Sequence, residues 1–274
     1  MSVAPTIRSA TLVVGGRGKT GRRVVERLAT LGHPVRVGSR SGEPPFVWED
    51  AGTWQAALDG VDRVYVAHHD MTLPDAAQQI EAFSQAAVAS GVRRLVLLSG
   101  RGGGTTRAVE SAVQVPGADW TVVRPGWFNQ NFSEGFLLEA VLAREIALPE
   151  FGAKQDFVDV DDIADVAVAA LTDDRHIGRT YELSGPRLLS FADAAEELST
   201  AGGREITYAP LTVEQFRTSL LKGGMPEKVV DDFVRSLRDN SACVTHGVEE
   251  ALGRKPKDFA AYARETAATG VWNA

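Results

Sequence analysis

Gly16, Gly18 and Gly21 stand at G-x-G-x-x-G spacing, and with Gly15 they also satisfy G-x-x-G-x-x-G within Gly15-Gly16-Arg17-Gly18-Lys19-Thr20-Gly21. Such a loop has three needs for glycine: a tight turn, close backbone approach to a pyrophosphate, and close packing of helix on strand. The context suits it. The apolar, β-branched run Ala10-Thr11-Leu12-Val13-Val14 precedes the loop, and Val24, Val25, Leu28, Ala29 and Leu31 follow at helical spacing up to Gly32. The helix amino terminus beyond Gly18 would hold phosphates through its free N–H groups and dipole. The next apolar run ends in Gly38-Ser39-Arg40-Ser41. An acidic residue there would hold the ribose 2′-hydroxyl of NAD. Arg40 instead suits a 2′-phosphate, with Ser39 and Ser41 as further donors and Arg17 and Lys19 reinforcing from the loop. The expected cofactor is NADP(H), with NAD(H) less favoured.

Fewer residues suit proton and substrate chemistry. His68 and His69 follow the strand-like run Val61–Ala67. At a carboxyl strand end, either His68 donates a proton near neutral pH, which makes it the candidate catalytic residue, or the pair only borders the site. Neighbouring residues on a strand point to opposite faces, which argues against a shared metal. Trp127, Phe128, Asn129, Asn131 and Phe132 read either as an aromatic wall with placed amides, with Trp127, Phe128 and Asn129 binding a flat organic substrate, or as core. Gly102, Gly103 and Gly104 with Thr105 and Thr106 read as a loop, either a lid or an ordinary connection. Asp156, Asp159, Asp161 and Asp162 read as a helix cap, because no glycine-turned loop spaces them for calcium. Cys243 is the single cysteine, so no internal disulfide or zinc site is expected, and no metal is.

The elements that must position these residues alternate strand with helix. Strands are expected at 10–14, 34–38, 46–48, 61–67, 94–99 and 120–124, and helices at 54–58 and 75–89. That rhythm predicts an α/β fold, a Rossmann-type doubly wound parallel sheet. Further on, a helix is expected at 161–171, a strand at 180–184 and a Ser190-capped helix at 191–201. Mostly helical sequence follows Tyr208, at 213–222, 226–237, 247–252 and 258–268. The expected division is a nucleotide-binding core over 1–155 and, over 156–274, the remaining sheet elements with a smaller helical substrate lobe, all in one integrated domain. The 274 residues are 44% hydrophobic with a net charge of -7, enough for a sizeable core and against a nucleic-acid partner. No leader or bilayer-length apolar run is seen, so a cytoplasmic protein with no membrane partner is expected. The expected partner is a small-molecule substrate, with a homodimer left open.

The chain resembles the NmrA-like branch of the atypical short-chain dehydrogenase/reductases. The resemblance rests on the glycine loop, Gly91-Val92-Arg93-Arg94-Leu95-Val96, the stretch from Thr121 to Phe132 and Asp156 to Ala164. Within the branch, the glycine loop, Val37–Ser41 and Phe46–Trp54 look most like festuclavine/agroclavine-dehydrogenase-like reductases. The resemblance implies that Ala67 and His68 lie near the nicotinamide ribose, Ser99 and Gly100 by the nicotinamide, and Pro125 to Phe128 at the cofactor's reactive end. One departure matters. The Tyr-x-x-x-Lys pair of typical short-chain dehydrogenases is missing: Tyr65, Tyr181, Tyr208 and Tyr262 all lack the lysine, and residues 91–150 contain neither type. An iminium electrophile would need no protein acid for the hydride step. The expected activity is reduction of an imine or iminium, quinone, enone or ketone by NADPH. The alternative is a non-catalytic NADP(H)-sensing regulator.

Overall fold

The computed structural model describes residues 9–101, 104–149, 154–238 and 242–273. In chain order, the first half gives β1 (Ala10–Val14), α1 (Lys19–Thr30), β2 (Val35–Gly38), α2 (Trp54–Leu58), β3 (Val61–Val66), α3 (Ala76–Ala89), β4 (Arg94–Leu98), α4 (Gly104–Ala112) and β5 (Asp119–Pro125). Next come α5 (Asn131–Glu134), α6 (Leu138–Leu142), β6 (Glu145–Pro149), α7 (Val160–Thr172), β7 (Arg179–Leu183), α8 (Phe191–Gly202) and β8 (Thr207–Leu211). The chain ends in α9 (Val213–Lys222), α10 (Glu227–Arg238), α11 (Gly247–Leu252) and α12 (Phe259–Ala268). Two compact units result. The first holds Met1–Ser99, Gly104–Val123 and Ala164–Thr180, and the second Gly100–Gly103, Arg124–Ile163 and Tyr181–Ala274.

Six strands form one sheet in the order β2-β1-β3-β4-β5-β7, and β1 to β5 pair in parallel. The order reverses at β1, so the crevice beyond the carboxyl ends of β1 and β3 is a topological switch point, where ligands bind in such sheets. Buried on both faces, the strands are near-continuous apolar runs. Leu12, Val64 and Leu95 pack with Ile80 and Phe83 of α3 and Val109 of α4 in the core of the first unit. Each such side chain contributes about 1.5–3 kcal/mol by leaving water.

Two expectations in this unit are corrected. Phe46-Val47-Trp48 is not a strand. The Thr53 hydroxyl takes the Val47 N–H at 3.0 Å, and the Trp54 indole donates to Val47 O at 2.9 Å. The segment's backbone is therefore satisfied by side chains, and Pro44 and Pro45 before it have no N–H to offer a ladder. Phe46, Trp48, Trp54 and Phe83 instead form an edge-to-face cluster. Residues 104–106 are helical, opening α4, whose Val109 and Ala112 are buried, as is Val113 just beyond its end. Gly102 and Gly103, the rest of the expected lid, lie outside the described residues.

The second unit has its own core, with Phe132, Ile146, Phe157, Leu198, Phe259 and Trp272 at its centre. Its β6 and β8 form a parallel two-stranded sheet that the sequence reading missed. Prolines at 149 and 210 hid both strands, since proline normally argues against a strand interior. The expected helices of this unit are present, with α8 capped by Ser190 in a reciprocal box with Asp193.

Candidate functional site

The glycine loop links β1 to α1. Gly15 sits at φ +69°, a left-handed conformation that favours glycine, and its O accepts the Gly18 N–H at 2.9 Å. A Cβ on Gly21 would run into the carbonyl of Gly15, and one on Gly16 would stand 3.0 Å from Val13 O. Turn, helix approach and strand packing thus each use a glycine. Gly18 caps α1 without a side-chain hydrogen bond, so no side chain of the cap competes for the first-turn N–H groups. The absence of Cβ atoms together with this open helix end fits a pyrophosphate.

The loop and the end of β2 are joined. Gly15 N–H donates to Gly38 O at 3.0 Å, and the exposed Arg17 donates to both the hydroxyl and the carbonyl of Ser41. Between them, Ser39 O accepts the N–H groups of Gly42 and Phe46, turning the chain. Ser39 Oγ is shielded from solvent and has no hydrogen-bond partner among the described residues. Arg40 is exposed on the same turn, and the Lys19 carbonyl accepts from Arg23 at 2.9 Å. Thr20 is buried in the first turn of α1.

Beyond β3, Ala67 lies across the switch point from the loop. A Cβ placed on Gly15 would stand 3.3 Å from Ala67 Cβ. His68 follows, but its ring is fully engaged. Nδ1 accepts the Asp70 N–H at 3.2 Å, which places the ring proton on Nε2, 3.0 Å from Gln79 Oε1. Gln79 is oriented in turn by donating to Asp75 at 2.8 Å, and the His68 ring packs on Trp48. This neutral imidazole gives its one proton to Gln79, which argues against His68 as a proton donor. Ser99, at the end of β4, is buried and donates to the buried Glu110 at 2.8 Å. Sequence spacing gave no sign of Glu110 or Gln79, because each acts through a helix that packs beside the strand end.

In the second unit, Gly100 precedes Arg101, whose largely buried guanidinium lies 2.6 Å from the fully buried Asp156. Arg101 N–H donates to Pro125 O, and Gly126 N–H to Leu183 O. Trp127 packs edge-on against Phe157 and Phe191 and also meets the exposed Phe136. Of the two readings of this ring, the core one therefore describes most of its surface. Phe128 is half-buried beside Val158, and Asn129 is buried. The aspartates are spent on cations and a cap: Asp159 accepts the Asp161 N–H at 2.7 Å, and Asp162 meets Arg254 at 2.6 Å. Lys257 stands 3.3 Å from Asp161 and 3.7 Å from Asp159.

The tyrosines offer no ready acid. Tyr65 and Tyr262 are buried, and burial pushes both phenols above their ordinary range; Tyr262 also donates to Ser133 at 2.9 Å. Tyr208 donates to Leu148 O at 3.0 Å, and Tyr181 is buried in β7.

A family model described as NAD(P)H-binding matches residues 46–174. The NAD(P)H azoreductase of Xenophilus azovorans is 34% identical, over 94% of this chain and 98% of that protein. Agroclavine dehydrogenase of Claviceps fusiformis is 32% identical, over 90% of this chain and 91% of its own. The chain belongs to the NmrA-like branch of the atypical short-chain dehydrogenase/reductases. It is a nicotinamide-dependent oxidoreductase of that branch. The fold matches that of the Escherichia coli NADPH-dependent quinone oxidoreductase QOR2, complexed with NADPH, at a TM-score of 0.77 and 19% identity, over 93% of this chain and 99% of that one.

Proposed function

We propose that this atypical reductase uses NADPH to reduce a small or medium conjugated organic electrophile, an imine or iminium, quinone, enone or ketone. The observation that carries the cofactor choice is the turn after β2. Arg17 reaches across to Ser41, Arg40 stands exposed beside them, and the buried Ser39 Oγ lacks a partner. Two guanidinium groups and two hydroxyls in place of a carboxylate suit a 2′-phosphate, while the carboxylate acceptor that would grip a free 2′-hydroxyl is missing from the turn. The names of the relatives, an NAD(P)H azoreductase and agroclavine dehydrogenase, support reduction of unsaturated nitrogen compounds in particular.

When bound, the cofactor supplies the hydride. The chain's part is to hold it and to leave the electrophile's proton to solvent or to the substrate's own charge. That division fits a protein whose Tyr65, Tyr181 and Tyr262 are buried, whose Tyr208 hydroxyl donates to Leu148 O, and whose His68 ring is engaged by Asp70 and Gln79. An iminium carbon takes hydride without prior protonation, and a quinone or azo group takes its proton from water once the anion has formed. In the second unit, Trp127, Phe128 and Asn129 are the residues proposed to meet the substrate.

The test is a paired titration with NADPH and NADH, followed by NADPH oxidation against a cyclic iminium, a quinone, an azo dye, an enone and an aldehyde. Tight NADPH binding with turnover of one class supports the proposal and names the electrophile. Tight binding without turnover of any would overturn the proposed electrophile classes, and absence of NADPH binding would overturn the cofactor reading.

A further inference from the structure

Where the last turns of α8 and α12 meet, the second unit has an open hollow of about 300 Å³, at the lower end of the range that holds small organic ligands. Every residue lining it belongs to that unit. Both helices end there in residues too small to fill the space, Ala201 and Gly202 on α8 and Ala267 and Ala268 on α12. Trp272 also lines it, 2% exposed, and its indole N–H is already given to Phe132 O at 2.9 Å, so it offers the hollow only an apolar ring. The polar lining is Arg204, Arg264 and Asn273, with no carboxylate among the described lining residues of a chain whose net charge is -7. Arg204 is half-buried and gives a long bond to Val141 O at 3.3 Å, while the exposed Arg264 makes no hydrogen bond or ion pair among the described residues. Most of the N–H donors of both guanidiniums are left to water or to a ligand. The helix ends work against an anion, each carrying roughly half a negative charge. Their carbonyls are tied by the caps, Gly203 N–H donating to Ser199 O and Gly270 N–H to Ala267 O, and two full positive charges outweigh them.

We propose that this hollow is a binding site for a small organic anion, a carboxylate or phosphate group on a compact apolar body. The oxyanion takes the guanidinium N–H groups, whose planar fork matches its geometry. The apolar body covers the alanines and the indole ring, surface that an inorganic anion would leave wet. A neutral molecule of the same shape would fill the hollow but leave both charges unanswered. None of these residues belongs to the glycine loop or to the turn after β2, so the site stands apart from the choice of NADPH.

The experiment is calorimetric titration of the full chain with benzoate, phenyl phosphate, inorganic phosphate and benzamide, repeated on Arg264→Gln, Ala268→Leu and Arg40→Asp. Benzamide keeps the apolar body without the charge, and inorganic phosphate does the reverse. Wild type is expected to bind benzoate, phenyl phosphate or both about tenfold or more tightly than either control, and which of them binds names the anionic group. Arg264→Gln is expected to weaken that binding about tenfold with the unfolding temperature unchanged, since the side chain holds nothing else in place. Ala268→Leu fills the hollow from an exposed position without altering charge, and should weaken the same ligand. Should it fail to fold, Arg264→Gln decides. Arg40→Asp alters the anion site at the turn after β2 and should leave this binding as it is. No binding by wild type at millimolar concentration, inorganic phosphate or benzamide bound as tightly as the organic anions, or an Arg264→Gln variant that binds as wild type does would overturn the proposal. Binding lost in Arg40→Asp instead would place the anion at the cofactor turn and overturn it as well.

Discussion

At the scale of single residues, cofactor choice and proton supply rest on different kinds of group. Arg40 and Arg17 need only present charge at an exposed turn, whereas His68 is positioned by a fixed hydrogen-bond pattern. A hydrogen bond to a charged group contributes about 1.5–3 kcal/mol, roughly 10- to 150-fold in affinity. Arg40→Asp should therefore weaken NADPH by about 100-fold or more, since it adds repulsion to the lost bond, and leave NADH equal or tighter. A fluorescence titration with both nucleotides measures this, and equal weakening of the two would show that Arg40 serves the fold instead. For His68, the neutral ring held between Asp70 and Gln79 predicts that His68→Gln leaves the pH profile of kcat unchanged in shape. Loss of one limb of that profile would restore His68 as an acid.

At the scale of elements, the strand–loop–helix start was legible because each of its glycines has a separate steric duty visible in spacing. The same duties make it brittle. Gly21→Ala would push a methyl into the Gly15 carbonyl, a contact that only movement of α1 could relieve. A loss of about 1–3 kcal/mol, with much weaker binding of NADPH and NADH alike, is expected from urea unfolding and titration. A substitution that leaves both unchanged would mean that the helix shifts freely. Caps were legible for a related reason: Ser190 and Asp193 satisfy N–H groups that any helix start leaves open. What escaped was whatever depended on partners distant in sequence. Phe46–Trp48 has the composition of a strand, but Thr53 and Trp54 take its backbone groups, while β6 and β8 pair with each other despite their prolines. The Arg101–Asp156 pair joins residues 55 positions apart, and nothing in either local pattern announces it. Within the candidate site, the strand–loop–helix placement of the glycine loop and the turn after β2 were readable, while the aromatic segment could be read either as pocket or as core. The engagement of His68 and the Ser99–Glu110 pair belong to packing and became visible only in the fold.

At the scale of the whole molecule, buried titratable groups in the two units make stability depend on pH with opposite signs. His176, 1% exposed in the first unit, has its pKa lowered by burial and then by the adjacent Arg175. Below about 6.5 the unfolded chain takes up a proton that the folded chain refuses, so stability falls with pH until the lowered folded pKa is passed. His176→Gln should flatten the fall of the unfolding temperature as pH drops below about 6.5. Asp159 works the other way. Burial raises its pKa above the ordinary carboxylate value, against the pull of the Asp161 N–H and the Lys257 charge. Stability associated with it is full below about pH 3.9, where both states are protonated, and is lost as pH rises through the raised folded value. Asparagine at this position keeps an oxygen to accept the Asp161 N–H and the Gln130 amide, and Lys257 retains Asp161 and Glu265. The neutral substitute is therefore expected to raise the unfolding temperature at pH 7 and to change it little at pH 4. An Asp159→Asn variant that is less stable at pH 7 than wild type would show that the Lys257 pairing outweighs the desolvation of the buried carboxylate, reversing the sign assigned to it.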